Sequence, residues 1–427
     1  MDPPIGSHNL AVWIASINGA TDDDQGNDTL GMDVNKVCYS IPRIPLFEEF
    51  TSSTCGPCAS FNSSFVPWCT SHENDITLVK YQMDWPGNGD PYYTEEGGVR
   101  KDYYGVGWVP WLVCNGSFVN TDIPSVTAAF DQAISQIGLM DIEATHSLNG
   151  HVITVNTAVL PFANIPGCHL YIAVVEKVTH NNASTNGETS FEHVMMKMIP
   201  DATGTSIDLE DRTPFTYTNT IDLTGTNVEE WDDLMVVVWM QNYLTKEIYQ
   251  STYSVEDGTL DSENQLSNIL VDGSPVYGFS PDTYNYIYGV PEGTSQVPVV
   301  QGIPSIGNET VIVIPALTIP GTTTIDVFAE NNVDHSLYTV TFLFNTGSNE
   351  PSESGFSVFP NPASDKVFIY GALKARISLV SASGETARII NDFNGNQISL
   401  DGLPEGVYTM KIEMTGKSVI TRKLVVM

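Results

Sequence analysis

Apolar and polar residues alternate along most of this chain, and helical spacing surfaces only locally. Within residues 9–40, LAVWIASI and DVNKVCYSI read as two strands around an acidic turn, ATDDDQGNDTLG. A lone hairpin is marginal in water, so residues 1–40 read as the tail of a truncated upstream β-domain, or as strands packed on the domain after them. FEEF at 47–50 and LVKYQMD at 78–84 are further strand-like runs. PSVTAAFDQAISQI at 124–137 sets Val126, Phe130, Ile134 and Ile137 at helical spacing, which predicts a helix closing this region. Strand alternation then resumes over 141–258, clearest in HVITVNTAVL and LMVVVWMQNYLTKEIYQSTYSV, with Pro, Gly and Asn between runs. That pattern predicts a β-sandwich. The Met-rich stretch FEHVMMKMIP at 191–200 reads as an edge or core element rather than a ligand cage. Period-two runs with Pro and Gly turns continue through 261–345 and 356–427, separated by a polar linker, NTGSNEPSES, at 346–355. The expected fold is multi-domain: an α/β domain over 41–140 plus several all-β sandwich domains.

Length supports this division, since 427 residues exceed one ordinary domain. Seventeen Lys and Arg face 51 Asp and Glu, a formal charge of −34. Nucleic acid and anionic membrane surfaces are therefore excluded as natural partners. The charge is uneven. No Lys or Arg occurs from Glu247 to Asp365, whereas 356–427 holds eight Lys and Arg against six Asp and Glu. That shift marks a domain boundary. No apolar run reaches the ~18 residues of a membrane-crossing helix, so no transmembrane segment is expected. The opening, MDPPIGSHNL, lacks the basic and apolar regions of an export signal, and the expectation is a truncated N-terminus. Low Lys with abundant Asn, Thr and Gly suits an extracytoplasmic protein, where disulfides persist. Asp22, Asp24, Asn27 and Asp28 fit a calcium loop poorly and read as a solvated turn.

All six cysteines, Cys38, Cys55, Cys58, Cys69, Cys114 and Cys168, fall in the first 170 residues. Two stand two residues apart in FEEFTSSTCGPC. A strand ending near Phe50, a short loop and a helix opening at Cys55 would put that sulfur at a helix N-terminus. Unpaired N–H groups and the helix dipole stabilise a thiolate there and lower its pKa. Pro57 suits the first helical turn, where its missing N–H leaves nothing unpaired. A C-x-x-C pair also serves as half of a zinc site, but no second cysteine pair completes one. His146, His151, His169, His180 and His193 show no metal-ligand spacing. No metal and no cofactor is expected.

CGPC, the strand ending at Asp84, and YGVGWVPWLVCNG at 104–116 resemble the thioredoxin family in motif and in order. The resemblance spans about residues 44–140. It implies a thioredoxin-like domain over 41–140 in which Cys55 and Cys58 form a redox-active dithiol. It further implies that Glu49 is the buried acid six residues before the first cysteine. Pro110 becomes the proline, cis in that family, that lies against the sulfurs. Val109, Trp111 and Thr54 are the implied substrate-facing positions. Thr54 departs from the usual Trp, and Trp111 from a small polar residue, which bears on substrate preference and redox potential. The order thioredoxin-like then β-sandwich resembles the Omp28-related surface proteins. In 261–345, Leu266, Ile269, Gly278, Phe279, Pro281, Tyr284, Tyr286 and Tyr338–Phe342 resemble a cadherin-like β-sandwich module of bacterial surface proteins. Pro360, Asn361, Pro362, Gly402–Tyr408 and the Lys423–Val426 end resemble the C-terminal sorting domain of type IX secretion cargo. That implies the type IX secretion machinery as a partner and a secreted or outer-membrane-surface location in a Gram-negative bacterium.

Three functions are compatible with these readings. One is a thiol–disulfide oxidoreductase or isomerase acting on protein thiols or disulfides. Another is a surface adhesin or binding protein whose thioredoxin-like domain is a scaffold without redox turnover. A metal-binding relative is the third, and it lacks extra ligands. The pairing of Cys38, Cys69, Cys114 and Cys168 stays open, with three connectivities allowed.

Overall fold

The computed structural model describes residues 6–13, 29–276, 278–345, 357–359, 361–370, 372, 374–394, 397–415 and 419–427. Asp22, Asp24, Asn27, Asp28, the 346–355 stretch and Pro360 lie outside the described residues. Two compact units form: Met1–Asp261 with Asn331–Val333, and Ser262–Glu330 with Asp334–Met427. Both are mostly β, and the chain is multi-domain.

In the first unit, Gly6–Trp13 and Thr29–Lys36 pair antiparallel as a two-stranded sheet. A nine-stranded sheet then runs through both the 41–140 and the 141–258 stretches. Its order is Ile248–Tyr253, Leu234–Asn242, Ile165–Thr179, Phe191–Ile199, Thr77–Gln82, Leu46–Thr51, Trp111–Cys114, Ser117–Val119, with Thr205–Leu209 branching off Ile165–Thr179. Leu46–Thr51 runs parallel to Thr77–Gln82 and antiparallel to Trp111–Cys114. Phe191–Ile199 meets Thr77–Gln82 in parallel through one residue pair, Val194 with Lys80. This Met-rich strand is internal, and Met195, Met196 and Met198 are buried. A four-stranded sheet of Phe215–Asp222, Val152–Pro161, Met140–Asn149 and Val255–Glu256 supplies Ile142, Ile153 and Val155 to a core shared with Leu170, Ile172, Val236 and Val238.

Three helices flank the sheet. Helix α1, Gly56–Ser71, is N-capped by Cys55 and holds Pro57 in its first turn. Pro67 sits inside it on the exposed side, where the carbonyl it leaves without an N–H partner can meet water. Helix α2, Glu95–Tyr104, begins at Thr94, whose Oγ1 accepts the Gly97 N–H, and ends at Gly105, whose φ of 69° suits a residue without Cβ. Helix α3, Ile123–Ile134, begins at the Asp122 cap. It is shorter than the 124–137 pattern predicts. Val126, Phe130 and Ala133 carry its buried face, while Ile134 and Ile137 are exposed. Ala133 takes the next core position after Phe130, and Ile137 enters a short strand, Ile137–Gly138.

In the second unit, Ser274–Pro275, Leu266–Val271 and Val300–Pro304 form one sheet. Asn285–Pro291, His335–Asn345, Gly321–Phe328 and Thr310–Ile314 form another, with Asn285–Pro291 parallel to His335–Asn345. Leu266, Ile269, Tyr286, Ile325, Tyr338 and Phe342 share one buried core. Residues 357–427 have a separate core, between the sheet Ser357–Phe359, Lys366–Tyr370, Gln397–Ser399 and the sheet Thr386–Phe393, Ala375–Ser381, Gly406–Glu413, Ile420–Val426. Asn361 holds the last strand there. Its Oδ1 accepts the Val425 N–H at 2.7 Å and its Nδ2 donates to the Lys423 carbonyl at 2.6 Å. Asn361→Ala is expected to cost about 1–2 kcal/mol and to speed hydrogen exchange across Ile420–Val426. An unchanged Val425 exchange rate would refute that role.

Candidate active site

Adjacent residues of a strand face opposite sides of the sheet. In Leu46–Thr51 this separates two neighbouring carboxylates. Phe47 packs with Phe61, Phe65 and Trp68 of α1 and with Val126 and Phe130 of α3. Leu46 and Phe50 instead pack with Tyr171, Val237 and Trp239. Glu49 shares the helical face and Glu48 the other, and each has its own cation.

Glu49 is fully buried, and its Oε2 lies 3.0 Å from Lys80 Nζ, itself 2% exposed. Burial raises the Glu49 pKa; the Lys80 charge opposes this, and Glu188 and Glu192 add to it. For Lys80, burial is the largest influence and works against the ammonium, but the charges of Glu49, Cys69 and Glu192 and the contact with Glu49 together leave the pKa raised. Lys80 Nζ also donates to Asn62 Oδ1 at 3.3 Å. Asn62 is one helical turn past Cys58 on α1, so the pair faces the helix that carries the dithiol.

Glu48 is fully buried in a second network. Arg100 of α2 donates to Glu48 Oε1 from Nη2 at 2.6 Å and Nε at 3.1 Å. The Tyr81 hydroxyl donates to Oε1 at 2.9 Å and the Tyr104 hydroxyl to Oε2 at 2.5 Å. Arg100 Nη1 reaches Gln241 Oε1 at 3.1 Å on Leu234–Asn242. Its guanidinium also lies 4.7 Å from the Tyr171 ring centre and 5.4 Å from that of Trp239. Burial, then the Glu48 charge, pushes the Tyr81 and Tyr104 phenols well above their ordinary range, so both stay donors.

Cys55 and Cys58 are joined as a disulfide. Cys55 Sγ accepts the Cys58 N–H at 3.1 Å, and the Val109 carbonyl lies 3.6 Å from it. The Val109–Pro110 peptide is cis. Trp111 follows in the next strand, half-buried, with its ring 4.5 Å from those of Trp108 and Phe118. Trp108 and Phe118 are exposed. Thr54 Oγ1 donates to the Pro86 carbonyl at 2.7 Å and lies 2.8 Å from Ser52 Oγ. Cys69 and Cys114 are buried thiols pushed up to about 12 by desolvation, and burial raises Cys168 to about 11. Thiols so shifted do not ionise near neutral pH.

The 180–190 loop, between Ile165–Thr179 and Phe191–Ile199, lies on the CGPC loop. Asn186 N donates to the Ser53 carbonyl at 3.1 Å, and its Nδ2 donates to the carbonyls of Ser52 at 3.3 Å and Cys55 at 3.2 Å. Ala183 N donates to Ser53 Oγ at 3.1 Å. Asn182 Nδ2 reaches both Asp90 oxygens, and Asp90 Oδ2 accepts the Ser53 N–H at 3.0 Å. Cys55 is only 2% exposed and Cys58 fully buried. The structure thus places the Val109 carbonyl beside the Cys55–Cys58 disulfide, with cis Pro110 and Trp111 next in the chain, and Glu49 on the strand face toward α1.

Sequence reasoning missed Glu48, Lys80, Arg100, Asn62 and the 180–190 loop. Two signals were present. Consecutive acids in an apolar strand must face opposite ways, so each needs a partner. A lone Lys inside LVKYQMD needs one too.

Residues 357–427 match the family of the secretion system C-terminal sorting domain. A gellan lyase from Bacillus sp. is 40% identical over 83 residues, 19% of this chain and 3% of the lyase. The chain thus spans about 3% of that curated relative's length. Among solved structures, HBP35 of Porphyromonas gingivalis aligns over 91% of this chain and 99% of its own, at 12% identity and a TM-score of 0.42. A domain of the outer membrane lipoprotein Omp28 from Porphyromonas gingivalis aligns over 28% of this chain and 91% of its own, at 13% identity and a TM-score of 0.21. No helix among the described residues is long and apolar enough to cross a membrane. With this sorting domain, the chain is a secreted or cell-surface protein of a Gram-negative bacterium.

Proposed function

We propose that Cys55 and Cys58 are the redox centre of a secreted or surface-attached thiol–disulfide oxidoreductase or isomerase, housed in a thioredoxin-like domain over residues 41–140. The observation that carries this reading is the placement of one sulfur. Cys55 Sγ caps α1, accepts the Cys58 N–H and lies beside the Val109 carbonyl. In the reduced protein the same position favours a Cys55 thiolate.

The reaction is two thiol exchanges. Cys55 thiolate attacks a substrate disulfide, forming a mixed disulfide and releasing one substrate thiolate. Cys58 then attacks Cys55 Sγ, and the bond to substrate breaks with its electron pair on the departing sulfur. The substrate gains two electrons and the protein is left as the Cys55–Cys58 disulfide. An external dithiol must reduce it for another turnover. Glu49 is the group proposed to take the Cys58 proton, since burial raises its affinity for a proton above that of an ordinary carboxylate. The Val109 backbone beside Pro110, with Trp111 and Thr54, forms the proposed substrate edge. The cadherin-like reading of 261–345 gives that stretch the role of a spacer.

A second reading, a surface binding scaffold with a structural disulfide, is favoured by the 2% exposure of Cys55 under the 180–190 loop. Insulin reduction with dithiothreitol as electron donor separates the two. The oxidoreductase reading expects turnover by the wild-type chain and background rates for Cys55→Ser. Equal rates for the two would leave the scaffold reading.

A further inference from the structure

We infer that Glu188, on the loop between Ile165–Thr179 and Phe191–Ile199, is a positioning residue for the buried Glu49–Lys80 pair, so that residues outside the 41–140 stretch help set proton handling at the dithiol. The inference rests on the oxidoreductase reading of Cys55–Cys58.

A polar path leads from the pair to the loop. Lys80 Nζ stands 3.0 Å from Glu49 Oε2 and 3.3 Å from Asn62 Oδ1, and Asn62 Nδ2 donates to Glu188 Oε1 at 2.9 Å. Lys80 and Asn62 are 2% and 5% exposed. A carboxylate only accepts and an ammonium only donates. Asn62 lies between one of each, so just one orientation of its amide satisfies both: Nδ2 toward Glu188 and Oδ1 toward Lys80. Without Glu188 only Lys80 holds the amide, Nδ2 loses its acceptor, and Asn62 is no longer fixed where it draws Lys80 from Glu49. Neither Glu49 oxygen receives a well-aligned hydrogen bond, so the position of Lys80 governs how strongly its anion is stabilised.

Glu188 is itself fixed. Asn186 Nδ2 donates to its Oε2 at 2.5 Å, and the Glu188 N–H returns to Asn186 Oδ1 at 3.0 Å. The same Asn186 amide holds the Cys55 carbonyl. One loop therefore grips the start of α1 and, a turn later, the buried pair behind it. The charged and titratable groups around Glu49 are Lys80 from the neighbouring strand, Cys69 from α1, and Glu188 and Glu192 from the loop and the strand after it. His193 faces Lys80, and burial first, then Lys80 and Lys177, holds it down at about 4, so it stays neutral near pH 7. Glu188 is thus one of two carboxylates that raise the proton affinity of Glu49 through space, and it alone of these bonds to Asn62.

The test follows release of thionitrobenzoate from 5,5′-dithiobis(2-nitrobenzoate) by the pre-reduced full-length chain. Attack by Cys55 releases one thionitrobenzoate and leaves the other in a mixed disulfide; attack by Cys58 releases the second. The second phase, measured against pH, reports the loss of the Cys58 proton. Glu188→Gln keeps an acceptor for Asn62 and removes the charge. Its second-phase midpoint should fall by about half a pH unit relative to wild type. Glu188→Ala should slow the second phase relative to the first, and Glu188→Asp should restore the wild-type midpoint. A Glu188→Gln profile superimposable on wild type overturns the inference while the biphasic release keeps the oxidoreductase reading. So does a uniform change in rate that follows melting temperature without moving the midpoint. Absence of any release from the reduced wild-type pair removes the oxidoreductase reading, and the inference with it.

Discussion

Reduced Cys58→Ser protein, mixed with an unfolded substrate that carries disulfides, accumulates mixed disulfides, and Cys55→Ser protein does not. The asymmetry comes from where each sulfur sits on α1. Cys55 is the N-cap, and its Sγ receives the Cys58 backbone N–H at 3.1 Å. A helix start carries about half a positive elementary charge, which favours an anion at that place. Cys58 is inside the first turn and fully buried, so substrate reaches Cys55 first. With Cys58→Ser the second exchange has no thiol, and the adduct on Cys55 persists. With Cys55→Ser no attacking thiolate stands at the helix start. Non-reducing gel electrophoresis after alkylation reads the outcome. Equal trapping by both variants, or by neither after full reduction, ends the oxidoreductase mechanism and leaves the scaffold reading.

The second large effect concerns stability. Arg100→Met alone is expected to destabilise the first unit by about 3–5 kcal/mol, because it strands Glu48 as an uncompensated buried charge. At roughly 2–4 °C per kcal/mol for a unit of this size, its melting transition falls by about 10 °C. Glu48→Gln alone leaves the buried guanidinium without its counter-charge and acts in the same direction. The double replacement Arg100→Met with Glu48→Leu recovers most of the loss, since well-packed apolar groups often substitute for a buried ion pair without penalty. Differential scanning calorimetry of the full chain measures all three. A change below about 1 kcal/mol for Arg100→Met, the size of an exposed pair, contradicts the buried Glu48–Arg100 network.

Glu48, beside the legible Glu49, marks where sequence reasoning stopped. The strand, loop and helix around Cys55 were legible because their signals are local: a short apolar run, a capping cysteine and a proline in the first turn. The sorting domain was legible because its motifs at 361–362, 402–408 and 423–426 are specific. Mostly-β, multi-domain architecture followed from alternation alone. Arg100 was not legible as the partner of Glu48, because the contact joins residues 52 positions apart and is completed by Gln241. The 180–190 loop, polar and punctuated by Asn and Gly, reads as an ordinary surface connection, and only the folded sheet brings Asn186 to the Cys55 carbonyl. The end of α3 differs for a related reason. Ile134 and Ile137 continue the helical period, yet Ala133 already fills the core position that the period gives them.

The single backbone register pair between Val194 and Lys80 has a mechanical meaning. A protein displayed at a cell surface is pulled, and a strand pair resists shear when many backbone hydrogen bonds must break together. At this seam there is no long ladder to share a tensile load. Traction across it falls largely on side chains instead: the packing of Leu46 and Phe50 on Tyr171 and Trp239, the Arg100–Gln241, Asn182–Asp90 and Thr77–Ser251 bonds, and the Asn186 contacts with the Ser52–Cys55 loop. Part of that load passes beside the disulfide, so drawing the two halves of the sheet apart would lift the 180–190 loop from the Cys55 carbonyl.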